Sequence, residues 1–476
     1  MKRAPRLKVV QVDRFEQPVK LRLPFRFGVI TVTEGVQAIA RVRVRFEDGR
    51  EGVGYAAEAL GAKWFDKNPL LSDAQNLQQL RKALEHCVVA YGNAPWLSAF
   101  DLFAAHYAAL LAQGEANGLP PLVASYGPAL IDRAVLDALC RAESMSFWDA
   151  MRVNAAGMRP DAIAPDLAGF DFDAFLAELE PATSIHVRHT VGLVDPIVAA
   201  DQPAGSRVND GLPETLEEVV TYYGNRWFKL KLNGRPDEDL ARLTKIAGVL
   251  NGIAEPIHVT LDGNEQYEDA DAIAALWQDM RALPALRRLC DSTLLIEQPI
   301  KRQVALSQSV LPLARHLPVI IDESDGDLDA FVRARALGYR GVSSKVCKGL
   351  YKSIINQARC RVWNAQGGEF FMSAEDLTTQ AGNSVQQDLA LVSLLGITHV
   401  ERNAHHFIDG FQGRPEAEAR AFLAAHPDLY SEQNGKVRLH LDAGDLHFAS
   451  LRCAGFGSAV VPSLGNATPM AKADWP

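Results

Sequence analysis

The spacing of apolar and polar positions changes character along the chain. Near the start it has period two: "LKVVQVDRF" (7–15) and "AIARVRVRFEDGREGVGYAAE" (38–58) alternate apolar and polar side chains. That is the pattern of half-buried strands, and "EDGRE" supplies an Asp-Gly hairpin turn. Between about residues 73 and 152 the period lengthens, and "DRAVLDALCRAESMSFWDAM" (132–151) carries apolar residues at helical spacing. A sheet followed by helices predicts an α+β unit over residues 1–152.

From residue 184 short apolar runs recur, each followed by polar residues and a helical stretch. They are "SIHVRHT" (184–190), "WFKLKLN" (227–233), "IHVTLDGN" (257–264) and "LLIEQPI" (294–300), then "VIIDESD" (319–325), "GVSSKVC" (341–347), "EFFMSAE" (369–375) and "ITHVERN" (397–403). Eight such units predict an α/β fold, a (β/α)8-type TIM barrel over residues 184–430. Residues 153–183 are expected to form a linker or an insertion. The segment 431–476, with "KVRLHLDAG" (436–444), is expected to return to the first unit and complete it as a capping domain.

Composition narrows the function classes. The chain has 476 residues, 48% hydrophobic and 22% charged, which is globular and fits two domains or one barrel with additions. A net charge of −9 predicts no nucleic-acid partner, which would favour a basic patch. The six cysteines are scattered without metal-ligand spacing, so free thiols and a cytoplasmic location are expected. The basic N-terminus lacks an apolar signal region, and no apolar run approaches the roughly 18 residues of a membrane span. No membrane partner is expected.

In such barrels the C-terminal ends of the strands carry the chemistry. "FKLKLN" sets Lys229 and Lys231 on one face and Leu230 and Leu232 on the other, so the lysines point into the barrel unless the strand is a solvated edge. The third strand ends in Asp262 with Asn264 on the same face, where the plain alternative is an Asp-Gly turn. The fourth ends in Glu297, followed by the strand-stopping Pro299. In "VIIDESDGDL" Asp322 and Glu323 are adjacent, so only one faces inward. The apolar lead-in favours Asp322, and Glu323 is left to hold a neighbouring cation, while Asp325 and Asp327 are expected in water at the start of a helix. The sixth strand brings Lys345 to its end, with Lys348 just beyond.

Taken singly these residues are ambiguous, but their order is not. Asp262, Glu297 and Asp322 end three consecutive strands, flanked by lysines on strands two and six. Three hard oxygen donors suit Mg²⁺, and the lack of His or Cys at these positions argues against zinc. Removing a proton α to a carboxylate builds a doubly charged enediolate, which a divalent cation stabilises. A lysine acts as base only when deprotonated, and nearby positive charge lowers its pKa, so Lys229 beside Lys231 tunes it.

The motifs "KLK", "LDGN", "IEQP", "IDES" and "SKVCKG", in that order, resemble those of the enolase superfamily. The closest likeness is to the mandelate racemase and muconate lactonizing enzyme family, in its two-lysine branch. The resemblance covers nearly the whole chain: "PFRFGVITVTE" (24–34) and "DGREGVGYAAE" (48–58) are similar to the capping strands and loops. It implies that Asp262, Glu297 and Asp322 bind Mg²⁺, with Asn264 and Glu323 behind them. Lys231 and Lys345 are then the acid/base groups, and Lys229 supports Lys231 and the substrate carboxylate. The implied reaction is abstraction of a proton α to a carboxylate through a metal-stabilised enediolate. It ends in racemisation, epimerisation or cycloisomerisation of a small carboxylic acid.

β-Elimination by an acid-sugar or other dehydratase on the same scaffold is the alternative, as is a non-catalytic carboxylate-binding relative. The His and Asp dyad of the mandelate racemase branch is absent, since strand seven reads "FFMSAED" and strand six ends in Lys345. His399, His405 and His406 are expected to be structural or at the surface. Lys348-Gly349-Leu350 departs from the branch's Lys-x-Gly-Gly, and 153–183 is longer than expected. Substrate contacts are expected from Arg26, Tyr55, Lys63 and Trp64 on the capping loops and from Glu401 on strand eight. A glycosidase pairing Glu297 with Glu323 leaves the lysines and Asp262 unexplained. A symmetric homo-oligomer is the expected assembly.

Overall fold

The computed structural model describes residues 4–475. It opens with three antiparallel strands, β1 (Leu7–Phe27), β2 (Ile30–Phe46) and β3 (Glu51–Ala59). Their period of two buries Val42, Val44 and Phe46 and turns Arg43 and Arg45 outward. The inner face packs on the helices Asp73–Gly92 and Tyr126–Ala142. The first is capped by Ser72 and Gln75 in a reciprocal capping box. A Cβ at Gly54 would lie 2.1 Å from the Ala134 carbonyl oxygen, so the second helix rests directly on β3. The apolar stripe that predicts these helices is therefore the surface buried under the sheet.

The eight barrel strands are β4 (Ser184–Val191), β5 (Trp227–Lys231), β6 (His258–Asp262), β7 (Thr293–Glu297), β8 (Val319–Ile321), β9 (Gly341–Ser344), β10 (Phe371–Ala374) and β11 (His399–Arg402). All eight expected strands are present. Parallel ladders join β4 through β10 in chain order, and β11 pairs with β4. β10 and β11 lie side by side without a ladder and form the seam of the barrel. The fold is an α/β barrel with an N-terminal cap.

Residues 153–183 pack rather than dangle. Leu167, Phe172, Phe175 and Leu176 are buried, and Asp166 forms a two-pronged ion pair with Arg359 of the barrel helix Leu350–Ala365 at 2.8 and 2.9 Å. Near the C-terminus, β12 (Tyr430–Gln433) and β13 (Lys436–Leu439) form a hairpin, and β14 (Asp445–His447) runs antiparallel to β4. Only then does β15 (Thr468–Pro469) pair with Phe15 and Glu16 of β1. The tail thus meets the barrel first and the cap second. All six cysteines are free, and no described helix is long and apolar enough to cross a membrane.

Candidate active site

A cavity of about 340 Å³ lies between the cap and the C-terminal ends of the barrel strands. Lys231, Asn264, Lys345, Glu375 and Glu401 line its barrel side. The alternation on β5 works as expected: Lys229 and Lys231 face the barrel interior, while Leu230 and Leu232 are buried against the outer layer.

Lys229 is fully buried, and its Nζ lies 2.7–2.9 Å from the carboxylates of Asp262, Glu297, Glu375 and Glu401. Burial opposes its charge, but these four carboxylates overcome it and hold the amine well above the usual lysine range. Lys231 donates to Asp262 at 2.6 Å. Across the barrel Lys345 reaches Asp322 at 2.5 Å and Glu375 at 2.7 Å. Burial again opposes the charge, and Asp322 and Glu375 prevail, so Lys345 is also held well above the ordinary value. Its Nζ stands 4.3 Å over the Trp64 ring, a cation–π contact that brings the cap onto this lysine.

The carboxylates that converge differ in one member from the expected set. Oxygens of Asp262, Glu297 and Glu375 lie within 4.8 Å of one another. Asp322 falls outside that group; its two oxygens meet Lys345 and Lys348 at 2.5 and 3.1 Å. Burial and the neighbouring Glu375 push Glu297 well above the usual carboxylate range; its Oε1 has no donor, and its Oε2 meets only the Lys229 ammonium, at 2.9 Å. Such a buried, like-charged and under-satisfied oxygen cluster fits a hard divalent cation. Glu375 is the residue that sequence reasoning missed. Its signal was present: "FFMSAE" runs apolar residues into a carboxylate at a strand end, as strands four and five do.

Glu323 pairs with a cation from the cap. Lys67 lies 3.1 Å from Glu323 and 2.6 Å from Glu265. Arg302 grips Glu265 and donates to the Trp64 and Phe65 carbonyls at 2.9 and 2.8 Å. This clasp pins the short helix Ala62–Phe65 to the barrel. Asn264 lines the cavity, its N–H donates to Asp262 at 2.8 Å, and its Nδ2 is 3.4 Å from Glu323. Asn264, Glu265 and Gln298 all adopt positive φ (41°, 69° and 31°), strain concentrated at the strand ends that carry the carboxylates. Gln298, also missed, accepts from the backbone N–H groups of Asp322 and Ser324 and so fixes the end of β8.

Several other expectations are corrected. Tyr55 does not face the cavity: Gly54 and Ala56 turn toward the helices, so Tyr55 sits on the opposite face beside Arg41 and Arg43. Arg26 alternates with Phe25 and Phe27, which line the cavity, and points away from it. Lys63 lines the cavity but donates to the Leu71 carbonyl at 2.6 Å. Trp64 lines it as the platform under Lys345. Glu401 also lines it, bonded to Lys229 at 2.9 Å, Thr190 at 2.5 Å and Asn403 at 3.1 Å. Asp325 is not in water. It is buried and paired with Lys348 at 3.3 Å and Lys352 at 3.2 Å, whereas Asp327 is half-exposed on Arg333. His405 and His406 are buried with His189 in a cluster that burial keeps neutral, with His189 pushed down to about 3.

No family model and no curated protein matches the chain. Solved structures do match across almost its full length. One is a dipeptide epimerase from Enterococcus faecalis V583, complexed with Mg and the dipeptide L-Leu-L-Tyr. It is 15% identical with a TM-score of 0.59, covering 94% of this chain and 99% of that one. Another is a mandelate racemase/muconate lactonizing protein from Herpetosiphon aurantiacus, 17% identical, TM-score 0.58, covering 98% and 99%. A third is an unknown member of the enolase superfamily from Enterococcus faecalis V583, 14% identical, TM-score 0.60, covering 98% and 99%. At such identities the likeness establishes the shared fold, a barrel under an N-terminal cap. The structural neighbours are enolase superfamily members.

Proposed function

We propose that this protein is a Mg²⁺-dependent enzyme that abstracts a proton α to the carboxylate of a small organic acid and returns a proton to the same carbon. The observation that carries the reading is the pair Lys231 and Lys345. Lys231 ends β5 and Lys345 directly follows β9, strands opposite each other in the eight-strand ring, and both line one cavity with a convergent carboxylate cluster between them. Two bases facing one carbon from opposite sides suit racemisation or epimerisation. The relative with a dipeptide and Mg bound is an epimerase, which supports this class.

Asp262 and Glu297 belong both to the expected ligand set and to the cluster that converges, so we assign them as cation ligands. Asp322 and Glu375 compete for the third place. A divalent cation held by these carboxylates would neutralise charge on the substrate carboxylate and would weaken the carboxylate field that keeps Lys345 charged. The chain's own residues do the rest. Lys231 and Lys345 take and give the proton, Lys229 holds the carboxylates in register, and the cap excludes water. Cycloisomerisation needs the same first proton transfer. Elimination needs one base and one acid, which the same pair supplies, but no third proton donor is required to explain the site.

The test is deuterium exchange. Candidate carboxylic acids are incubated with enzyme and Mg²⁺ in D₂O, and the α-proton signal is followed by NMR. Exchange with inversion at the α-carbon, lost on adding EDTA, is the expected result. Full activity in EDTA would refute the reading.

A further inference from the structure

The two sides of the cavity differ in kind. The barrel side is charged. The other is mainly apolar, made by Leu21, Phe27, Ile30, Val32 and Leu60 of the cap with Leu377 of the β10 loop, and the polar Gln37, Thr378 and Gln380 also line it. These residues come from separate segments, yet their side chains face one space.

The cap side has a single cationic side chain among the described lining residues, Lys63, and it is already committed. Its Nζ lies 2.6 Å from the Leu71 carbonyl and 3.7 Å from Asp73. The carboxylates at this end, Glu34 and Asp73, are exposed at the mouth. A distal carboxylate or phosphate on the substrate therefore meets two acids and no free cation. The buried amides on the wall add no charge: Gln37 and Gln380 each keep an unpaired oxygen, and the Gln380 amide N–H₂ already donates to the Gln412 carbonyl at 2.7 Å. A polyhydroxylated chain would find the two amide oxygens as acceptors, but its remaining hydroxyls would be desolvated against the apolar side chains.

We infer that the substrate carries an apolar, uncharged distal group, branched aliphatic or aromatic, seated on this wall while its carboxylate end lies among the lysines. The inference rests on the proton-abstraction reading for the orientation of the substrate. It disfavours acid sugars and diacids.

The experiment uses matched acids that share a reacting end and differ at the other. One set is 2-hydroxy-4-phenylbutanoate, 2-hydroxyglutarate and gluconate; another is the dipeptides Ala-Leu and Ala-Glu. Each is measured with the Mg²⁺-loaded full chain for α-proton exchange in D₂O and for binding by calorimetry. The apolar member of a set is expected to exchange and bind at least tenfold better. Ile30 is half-buried at the turn, so Ile30→Arg is expected to fold and to lose about tenfold on the apolar acid while gaining on the diacid; Ile30→Leu is expected to keep the wild-type preference.

A preference for gluconate, 2-hydroxyglutarate or Ala-Glu overturns the inference and leaves proton abstraction standing. Selective binding of the apolar acids without exchange from any acid supports the inference and sinks the proton-abstraction reading. Neither exchange nor selective binding, or an Ile30→Arg variant with unaltered preference, overturns it.

Discussion

On the barrel side of the cavity one amine, Lys229, lies 2.7–2.9 Å from four carboxylates. On the cap side the nearest thing to chemistry is Trp64, whose ring supports Lys345 at 4.3 Å. The barrel rim concentrates charge that is costly to bury and that only mutual pairing or a bound cation makes tolerable. The cap contributes shape and dryness. Under the proposed function the difference separates two jobs: the rim acts on the reacting carbon, and the cap selects the molecule that brings that carbon in. Between them the Lys67–Glu323–Glu265–Arg302 clasp ties one side to the other.

That division can be broken at four points. The largest effect is expected for Lys345→Ala, with Lys231→Ala as its counterpart. Each should lower kcat about a thousandfold, the scale of a lost general acid or base. Each should also remove α-proton exchange from one enantiomer more than the other, as read by NMR with resolved substrates. Equal loss for both enantiomers would contradict bases on opposite faces.

Next come the rival third ligands. Asp322→Asn and Glu375→Gln are compared by the Mg²⁺ concentration needed for half-maximal thermal stabilisation. The true ligand should shift it about 10- to 100-fold, a typical cost of disturbing a metal shell, and the other should shift it little.

A smaller effect is expected at the clasp. Lys67→Met removes the cap's cation from Glu323 and Glu265 while leaving the rim's lysines intact. KM should rise about tenfold with kcat nearly kept, because the cap seats less firmly over the substrate. A large fall in kcat with unchanged KM would mean that the clasp serves the rim's chemistry instead. The smallest effect belongs to Tyr55→Phe, on the outer face of the cap sheet, where steady-state kinetics should stay within about twofold of wild type.

The rim was legible in the sequence because its signals are local. An apolar run that ends in Asp or Glu at the end of a strand is written in five or six consecutive residues, and so is a pair of lysines two apart. Glu375 carries the same signal in "FFMSAE", and its convergence with Asp262 and Glu297 is set by the fold. The cap's contributions were not legible in the same way. Alternation on β1 and β3 divides residues into two faces without saying which one meets the barrel, so the pattern does not separate Arg26 and Tyr55 from the residues that line the cavity. Lys67 and Glu323 are 256 positions apart, and nothing near either names the other. Asp325 reads as a solvated helix start until Lys348 and Lys352 are folded onto it.

By itself, then, the amino-acid order determined eight strands, their inward faces and the acids and lysines at their ends, since period and burial are properties of a short stretch. Only the tertiary structure decided which carboxylates converge, which cation Glu323 holds and how apolar the far wall of the cavity is. Those outcomes depend on side chains from distant segments competing for the same few ångströms, with pairing energies that exist only once water is excluded.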